Sequence, residues 1–194
     1  MVNYGKYKWQ TFKEVERKRF ALAKAIVDKE MFSSMNDEGR DFKFVGIYAK
    51  NRAEWIITDL ALVSAGIVSV SLYDTLGAEA TEFIVGQTEL PTLFTSQDKI
   101  AVIAKLKNEG MIQTVENVVS FDPLEEGDKD IAAEAGINLF TFEELIQYGE
   151  GIDVELTPPT KDDIYTFCYT SGTTGVPKGA MTTHMNIVAD AYAC

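Results

Sequence analysis

The chain is short of several things. Of its 194 residues, two are cysteine, one is histidine and five are proline. Cys168 and Cys194 form no CxxC pair and no even disulfide framework, which fits a reducing compartment. One His and two scattered Cys offer no convincing zinc site. Positive charge is also scarce. Eighteen Lys and Arg face thirty Asp and Glu, a formal net charge of −12. Bulk nucleic-acid binding needs a basic surface that releases counterions, so that class is excluded. A small anionic ligand is not, because one Lys and a few backbone N–H groups can hold a phosphate on an acidic protein. No uninterrupted membrane-length apolar run exists. The longest, "WIITDLALVSAGIVSVSLY" from Trp55 to Tyr73, is broken by Asp59 and Gly66. Its second half alternates, so it reads as a helix followed by a strand. The opening "MVNYGKYKWQTF" holds no apolar signal core.

What is present is a globular composition, 46% hydrophobic and 25% charged, of a size for one domain or a piece of a larger one. "TFKE", Thr11 to Glu14, has the form of a capping box, followed by an apolar stripe at Phe12, Val15, Phe20, Ala23, Ile26 and Val27. "FKFVGIYA", Phe42 to Ala49, is apolar enough for a strand buried on both faces. "NRAE" from Asn51 can cap a helix carrying Ile56, Leu60 and Val63, with Gly66 beyond its end. "IVSVSLY" reads as a strand and "DTLG", Asp74 to Gly77, as a turn. A helix is expected over Glu79–Gln87 and a strand over Thr92–Thr95. Ser96 then caps a helix running through Leu106, and Val118–Phe121 reads as a strand. "DPLEEGDKD" reads as an exposed acidic loop, and "TFEE", Thr141 to Glu144, as a second capping box. The aromatics Phe42, Phe44, Trp55 and Phe83 are expected in the core, and Cys168 as a small buried hydrophobe. Strand and helix alternate with short connections, which predicts an α/β fold of layered sheets with crossover helices.

The most informative stretch is "IYTFCYTSGTTGVPKGAMTTH", Ile164 to His184. A strand-like run leads into a loop of Gly, Ser and Thr that ends in Lys178. Glycines let a backbone approach a ligand closely, and successive N–H groups form an anion-binding concavity. Hydroxyls and one ammonium complete the parts of a polyphosphate site. A Walker loop would require Gly and Ser/Thr where Pro177 and Gly179 stand, and it would lead into a helix. Here an extended "GAMTTH" follows, with Asn186 as the expected cap of a later helix. The loop is therefore read as strand–loop–strand. His184 reads as a structural residue beside that cap, since no Ser or carboxylate spacing suggests a triad.

"YTSGTTGVPKG", Tyr169 to Gly179, resembles the signature loop of the adenylate-forming (AMP-binding) superfamily. "NRAEWIITDLALVSAGIVSVSLYDTLGAEA", Asn51 to Ala80, is similar to the corresponding stretch of its long-chain fatty-acid–CoA ligases. The resemblance implies an acid–thiol ligase that uses ATP, Mg2+ and coenzyme A to activate a fatty acid. It implies phosphate contacts at Thr170, Ser171, Gly172, Thr173, Thr174, Gly175 and Lys178, with Lys178 also catalytic and no metal ligand within the chain. It implies the N-terminal half of a large domain, so that residues 1–194 form a partial AMP-binding domain ending just after the phosphate loop. An incomplete and inactive fragment is the corresponding expectation. A cytoplasmic location is expected, with peripheral contact to an intracellular membrane left open. The alternatives are a non-catalytic remnant that binds phosphate or a partner protein, and another acyl- or aryl-CoA ligase of the same superfamily.

Overall fold

The computed structural model describes residues 7–37, 39–73, 77–170 and 177–193. The chain opens with α1 (Phe12–Asp28), then β1 (Ser33–Asp37), β2 (Arg40–Tyr48), α2 (Ala53–Ser64) and β3 (Val68–Leu72). It continues through α3 (Ala78–Thr88), β4 (Thr92–Thr95), α4 (Ile100–Asn108), β5 (Asn117–Ser120), α5 (Asp128–Glu134) and β6 (Asn138–Thr141). It closes with α6 (Phe142–Glu150), β7 (Ile164–Thr170), β8 (Lys178–Thr183) and α7 (His184–Ala193).

The strands form one sheet in the order β6-β5-β4-β2-β3-β7-β8, with β1 paired to β2 beside this path. Pairs from β6 across to β7 are parallel, while β1–β2 and β7–β8 are antiparallel. Period-two alternation divides β2 between the two faces of the sheet. Phe42, Phe44 and Tyr48 join a core with Ile84 and Val85 of α3 and Ile100 and Ile103 of α4. Val45 and Ile47 join a core with Leu22 and Ile26 of α1, Leu62 of α2 and Leu145 of α6. Burial on both faces explains the nearly continuous apolar run. The result is a layered α/β fold, as the alternation of elements predicts.

Local signals place several element ends. Both capping boxes form: Thr11 and Thr141 accept the N–H groups of Glu14 and Glu144, whose carboxylates accept the cap N–H in return. Gly66, at φ +63°, ends α2, with Ile67 N–H donating to Leu62 O at 2.9 Å and Gly66 N–H to Val63 O at 3.3 Å. That is the six-to-one and five-to-two pattern of a Schellman motif.

Several expectations are corrected. Phe12 is 97% exposed, and the buried face of α1 is Ala21, Leu22, Ala23, Ala25 and Ile26. On α2, Ile56 is exposed while Ile57, Asp59, Ala61 and Leu62 are buried. That helix is apolar nearly all round, so periodicity alone cannot choose its inner face. Its cap position is Arg52 rather than Asn51, and the Arg52 side chain makes no capping bond. The guanidinium instead bonds both oxygens of Asp122, at 2.8 and 2.9 Å. The acidic loop runs into α5, where Asp128 is buried and accepts from Gln97 and from the Glu125 N–H. Thr183, not Asn186, caps α7: its hydroxyl accepts the Asn186 N–H at 3.2 Å, and Asn186 Oδ1 accepts from Thr183 N–H at 3.0 Å. Trp55 and Phe83 are only partly buried. Among the described residues, no helix is long and apolar enough to cross a membrane.

Candidate phosphate-binding hairpin

β7 runs parallel to β3, with Ser69, Val70 and Ser71 opposite Thr166, Phe167 and Cys168. Thr170 therefore emerges at the same sheet edge as the carboxyl ends of β2, β3, β4 and β5. In parallel sheets this edge is where ligands bind, near a point where strand order reverses. Such a reversal occurs here, because β3 lies on one side of β2 and β4 on the other.

β8 returns antiparallel, pairing Thr170 with Lys178, Tyr169 with Gly179 and Cys168 with Ala180. The structure thus brings together Thr170 and Lys178, two of the residues predicted to contact phosphate. Both are exposed, and the Thr170 hydroxyl donates to the Lys178 carbonyl at 3.5 Å. Ser171, Gly172, Thr173, Thr174 and Gly175 lie outside the described residues. The strand–loop–strand reading holds at both ends of the loop, and the hairpin gives Lys178 an extended backbone rather than a helical one.

Gly179 has a packing reason. A Cβ there would sit 3.2 Å from Cζ of Tyr169, whose ring covers it. Tyr169 is buried, and its hydroxyl donates to Gln87 Oε1 of α3 at 2.7 Å. Burial pushes the Tyr169 hydroxyl up to about 12. The hairpin is thereby anchored to α3 just below its tip. Sequence reasoning missed Gln87, because nothing local marks a partner 82 residues away.

Beside the hairpin is a cavity of about 590 Å³ lined by Lys50, Asn51, Trp55, Tyr73 and Cys168 among others. Cys168 is half-buried rather than enclosed, and its Sγ lies 3.4 Å from the Tyr73 hydroxyl. That contact raises the Tyr73 pKa. His184 opens α7, with its ring edge-on to Tyr165 at 5.3 Å and 88°. Among the described residues no group of three or more His, Cys, Asp or Glu could hold a metal ion. Thr170 and Lys178 set one hydroxyl and one ammonium at the mouth of the hairpin, groups that suit the negative charge of a phosphate.

Comparison with known proteins gives a consistent result. The AMP-binding enzyme family matches residues 1–194. The chain is 36% identical to Acyl-CoA ligase 891, peroxisomal, of Penicillium roqueforti, over 96% of this chain and 27% of that protein. It is 31% identical to Long-chain-fatty-acid–CoA ligase 5 of Mus musculus, over 96% of this chain and 27% of that one. It is 35% identical to Long chain acyl-CoA synthetase 6, peroxisomal, of Arabidopsis thaliana, over 96% of this chain and 25% of that one. The chain thus spans about a quarter of the length of these relatives. Among solved structures, the adenylation domain of a carboxylate reductase from Mycobacterium chelonae superposes with a TM-score of 0.74 at 21% identity, over 93% of this chain and 28% of that one. The anthranilate CoA ligase AuaEII in complex with anthranoyl-AMP gives 0.73 at 21%, over 94% and 31%. These structural likenesses establish the fold, and the sequence matches carry the assignment further: the chain belongs to the AMP-binding enzyme family.

Proposed function

We propose that this chain supplies the ATP-phosphate site of a long-chain fatty-acid–CoA ligase. The observation that carries the reading is the pairing of Thr170 with Lys178 across the hairpin mouth at the carboxyl edge of the sheet. Similarity to long-chain acyl-CoA ligases supports the acyl branch of this reading. In the proposed reaction a fatty-acid carboxylate oxygen attacks the α-phosphorus of ATP. The bond from that phosphorus to the β-phosphate oxygen breaks, and pyrophosphate leaves with the electron pair. The acyl-adenylate then meets the thiol of coenzyme A. A thioester C–S bond forms, the acyl–oxygen bond breaks, and AMP departs.

This chain's share is electrostatic. Lys178 holds a compact positive charge where negative charge grows on the departing pyrophosphate, and the Thr170 hydroxyl orients the phosphate oxygens. Ser171, Thr173 and Thr174 carry further hydroxyls by residue type and are proposed as additional contacts. Preorganised donors of this kind stabilise the transition state more than the ground state.

The test separates the two half-reactions in the protein that carries this chain. Removing one such donor typically slows the step it serves by on the order of 10²-fold. Lys178→Ala is therefore expected to slow ATP–pyrophosphate exchange by about that factor. Thioester formation from synthetic acyl-AMP and coenzyme A should change far less, because no pyrophosphate leaves there. Equal loss in both half-reactions would overturn the assignment.

A further inference from the structure

At the base of the hairpin lies a polar group that the proposed chemistry does not use. Asp59 is only 5% exposed, in the middle of the apolar helix α2. Its Oδ2 accepts the hydroxyl of Tyr165. Among the described residues, its Oδ1 meets no ideal hydrogen-bond partner, and neither does Oγ of the buried Ser69 on β3. The Ser69 hydroxyl is a polar group close enough to Asp59 to favour its charged form. Burial holds the Asp59 carboxyl above the usual carboxylate range. Burying a carboxylate is costly, and an apolar residue would serve packing better. What the group gains must be sought in what it holds.

It holds a bulge. From Thr170↔Lys178 down to Thr166↔Thr182 the hairpin pairs regularly, but the next pair is Ile164↔Thr183. Tyr165 is thus the extra residue on β7. Bulges bend a strand and re-aim the side chain at the irregularity. Here the re-aimed hydroxyl reaches a carboxylate 106 residues away. The Tyr165 ring also meets His184, whose N–H donates to Asp163 O at 3.1 Å. One side chain therefore ties the base of both strands to α2. Other restraints at this end are Ile164 and Phe167 packed on the core, the Phe167 ring edge-on to Phe42 and Phe44 at 5.8 and 4.9 Å, and the Met185 N–H on Lys161 O at 2.9 Å. The β3–β7 pairing covers Ser69 to Ser71, supported by the Thr166 hydroxyl on Ser69 O at 2.9 Å. β8 is the last strand of the sheet, and α7 has no buried residue.

We infer that Tyr165 is a positioning residue for the hairpin: its hydroxyl, held by buried Asp59, fixes the bulge and with it the direction in which β7 and β8 carry Thr170 and Lys178. The consequence for phosphate binding rests on the proposed function; the restraint itself does not.

Tyr165→Phe keeps the ring and removes the hydroxyl, and two readouts test it in the protein that carries this chain. The first is amide hydrogen exchange. Protection at the amides of Thr166–Thr170 and Lys178–Thr182 should fall by about tenfold, the scale of losing a hydrogen bond to a charged group. Protection in β2, β4 and β5 should stay as it was. Unchanged hairpin protection would overturn the inference. So would an equal loss across the sheet, or outright unfolding, since Tyr165 would then support the whole fold. Asp59→Asn retains an acceptor for the hydroxyl and should keep the hairpin protected. The second readout is the affinity for inorganic pyrophosphate. Tyr165→Phe should weaken it by roughly tenfold in the wild-type background and add little to Lys178→Ala, because residues acting through one another are not additive. Additive losses would overturn the positioning role. If Lys178→Ala leaves pyrophosphate affinity unchanged, the phosphate reading falls, and the exchange experiment still decides the restraint.

Discussion

Gly149 offers a sharp test of the packing between α1 and α6. A Cβ at this position would lie 1.8 Å from the carbonyl oxygen of Ala21, 2.6 Å from its carbonyl carbon and 3.1 Å from its Cα. Comfortable carbon–carbon contact begins at about 3.5 Å. With the carbonyl oxygen at 1.8 Å, the two helices would have to separate by roughly 1.5 Å to reach ordinary contact. No rotamer change can help, because both groups are backbone or directly attached to it. Separation loosens Leu22 and Ile26 from Phe142, Leu145 and Ile146, all buried. Overpacking costs about 1–3 kcal/mol, and a backbone clash belongs at the upper end. Against this, Ala is favoured over Gly in a helix by about 1 kcal/mol. Gly149→Ala should therefore destabilise the fold by about 2 kcal/mol net, lowering Tm by about 4–8 °C for a chain of this size. Gly86 is the matched control. It is exposed on α3, and a Cβ there would meet nothing within 4 Å. Gly86→Ala should stabilise by about 1 kcal/mol. Thermal melts followed by circular dichroism compare the two. If Gly149→Ala raises Tm as Gly86→Ala does, the close crossing of α1 and α6 is wrong.

Two further expectations concern ionisable groups. The Arg52 guanidinium beside Asp122 holds that carboxyl below its ordinary value, so the pair stabilises the fold above about pH 3.9 and its contribution is lost as pH falls through the lowered value. Asp122→Asn should cost about 1 kcal/mol at neutral pH in urea titrations, with the gap to wild type closing in acid; a gap that persists at low pH would refute the charge-based account. His184 has its pKa lowered from 6.5 because burial outweighs the attraction of Asp163 and Asp59. The fold then prefers the neutral imidazole, and its stability contribution is lost as pH falls below 6.5. As the chain has one His, its single NMR titration reads this directly, and a midpoint at or above the ordinary value would show that the carboxylates dominate.

What could be read from the sequence was what neighbouring residues encode. Both TFxE boxes sit within four residues and form as read. The parallel strands announce themselves as apolar runs because both their faces are covered. β1 does not: "SSMND" is polar, and it is a strand because Gly39, at φ +83°, turns the chain so that Ser33–Asp37 pairs with Arg40–Phe44. β6 and α5 are missed for a similar reason, being short elements fixed by pairing and packing rather than by pattern. The inner faces of α1 and α2 depend on which neighbours cover them, which no window of sixteen residues contains. In the site, Thr170 and Lys178 are eight apart and belong to one recognisable loop. Asp59–Tyr165, Gln87–Tyr169 and Arg52–Asp122 are 106, 82 and 70 apart, and tertiary folding alone joins them. Yet Asp59 had left a trace: it was the charge interrupting an apolar run. Read only as an argument against a membrane span, it was also the mark of a buried carboxylate with a distant donor.

Gly179 shows why the loop pattern carries more than chemistry. In a phosphate loop a glycine invites the explanation that a ligand needs the room. Here the room is filled by the ring of Tyr169, the residue opposite it in register. A side chain at 179 would push that ring, and the ring is fixed at its far end by Gln87 of α3. The strain would pass to the hairpin rather than vanish into solvent. Tyr169 and Gly179 are therefore one packing unit, placed one residue below the pair proposed to meet the phosphates. Tyr165 and Asp59 form a second such unit at the hairpin's base. Between them the two tie β7 to α3 on one face of the sheet and to α2 on the other, below the residues proposed to meet the phosphates. On this account the motif "YTSGTTGVPKG" encodes the clamp as well as the charge, since its first and last residues face each other across the ladder.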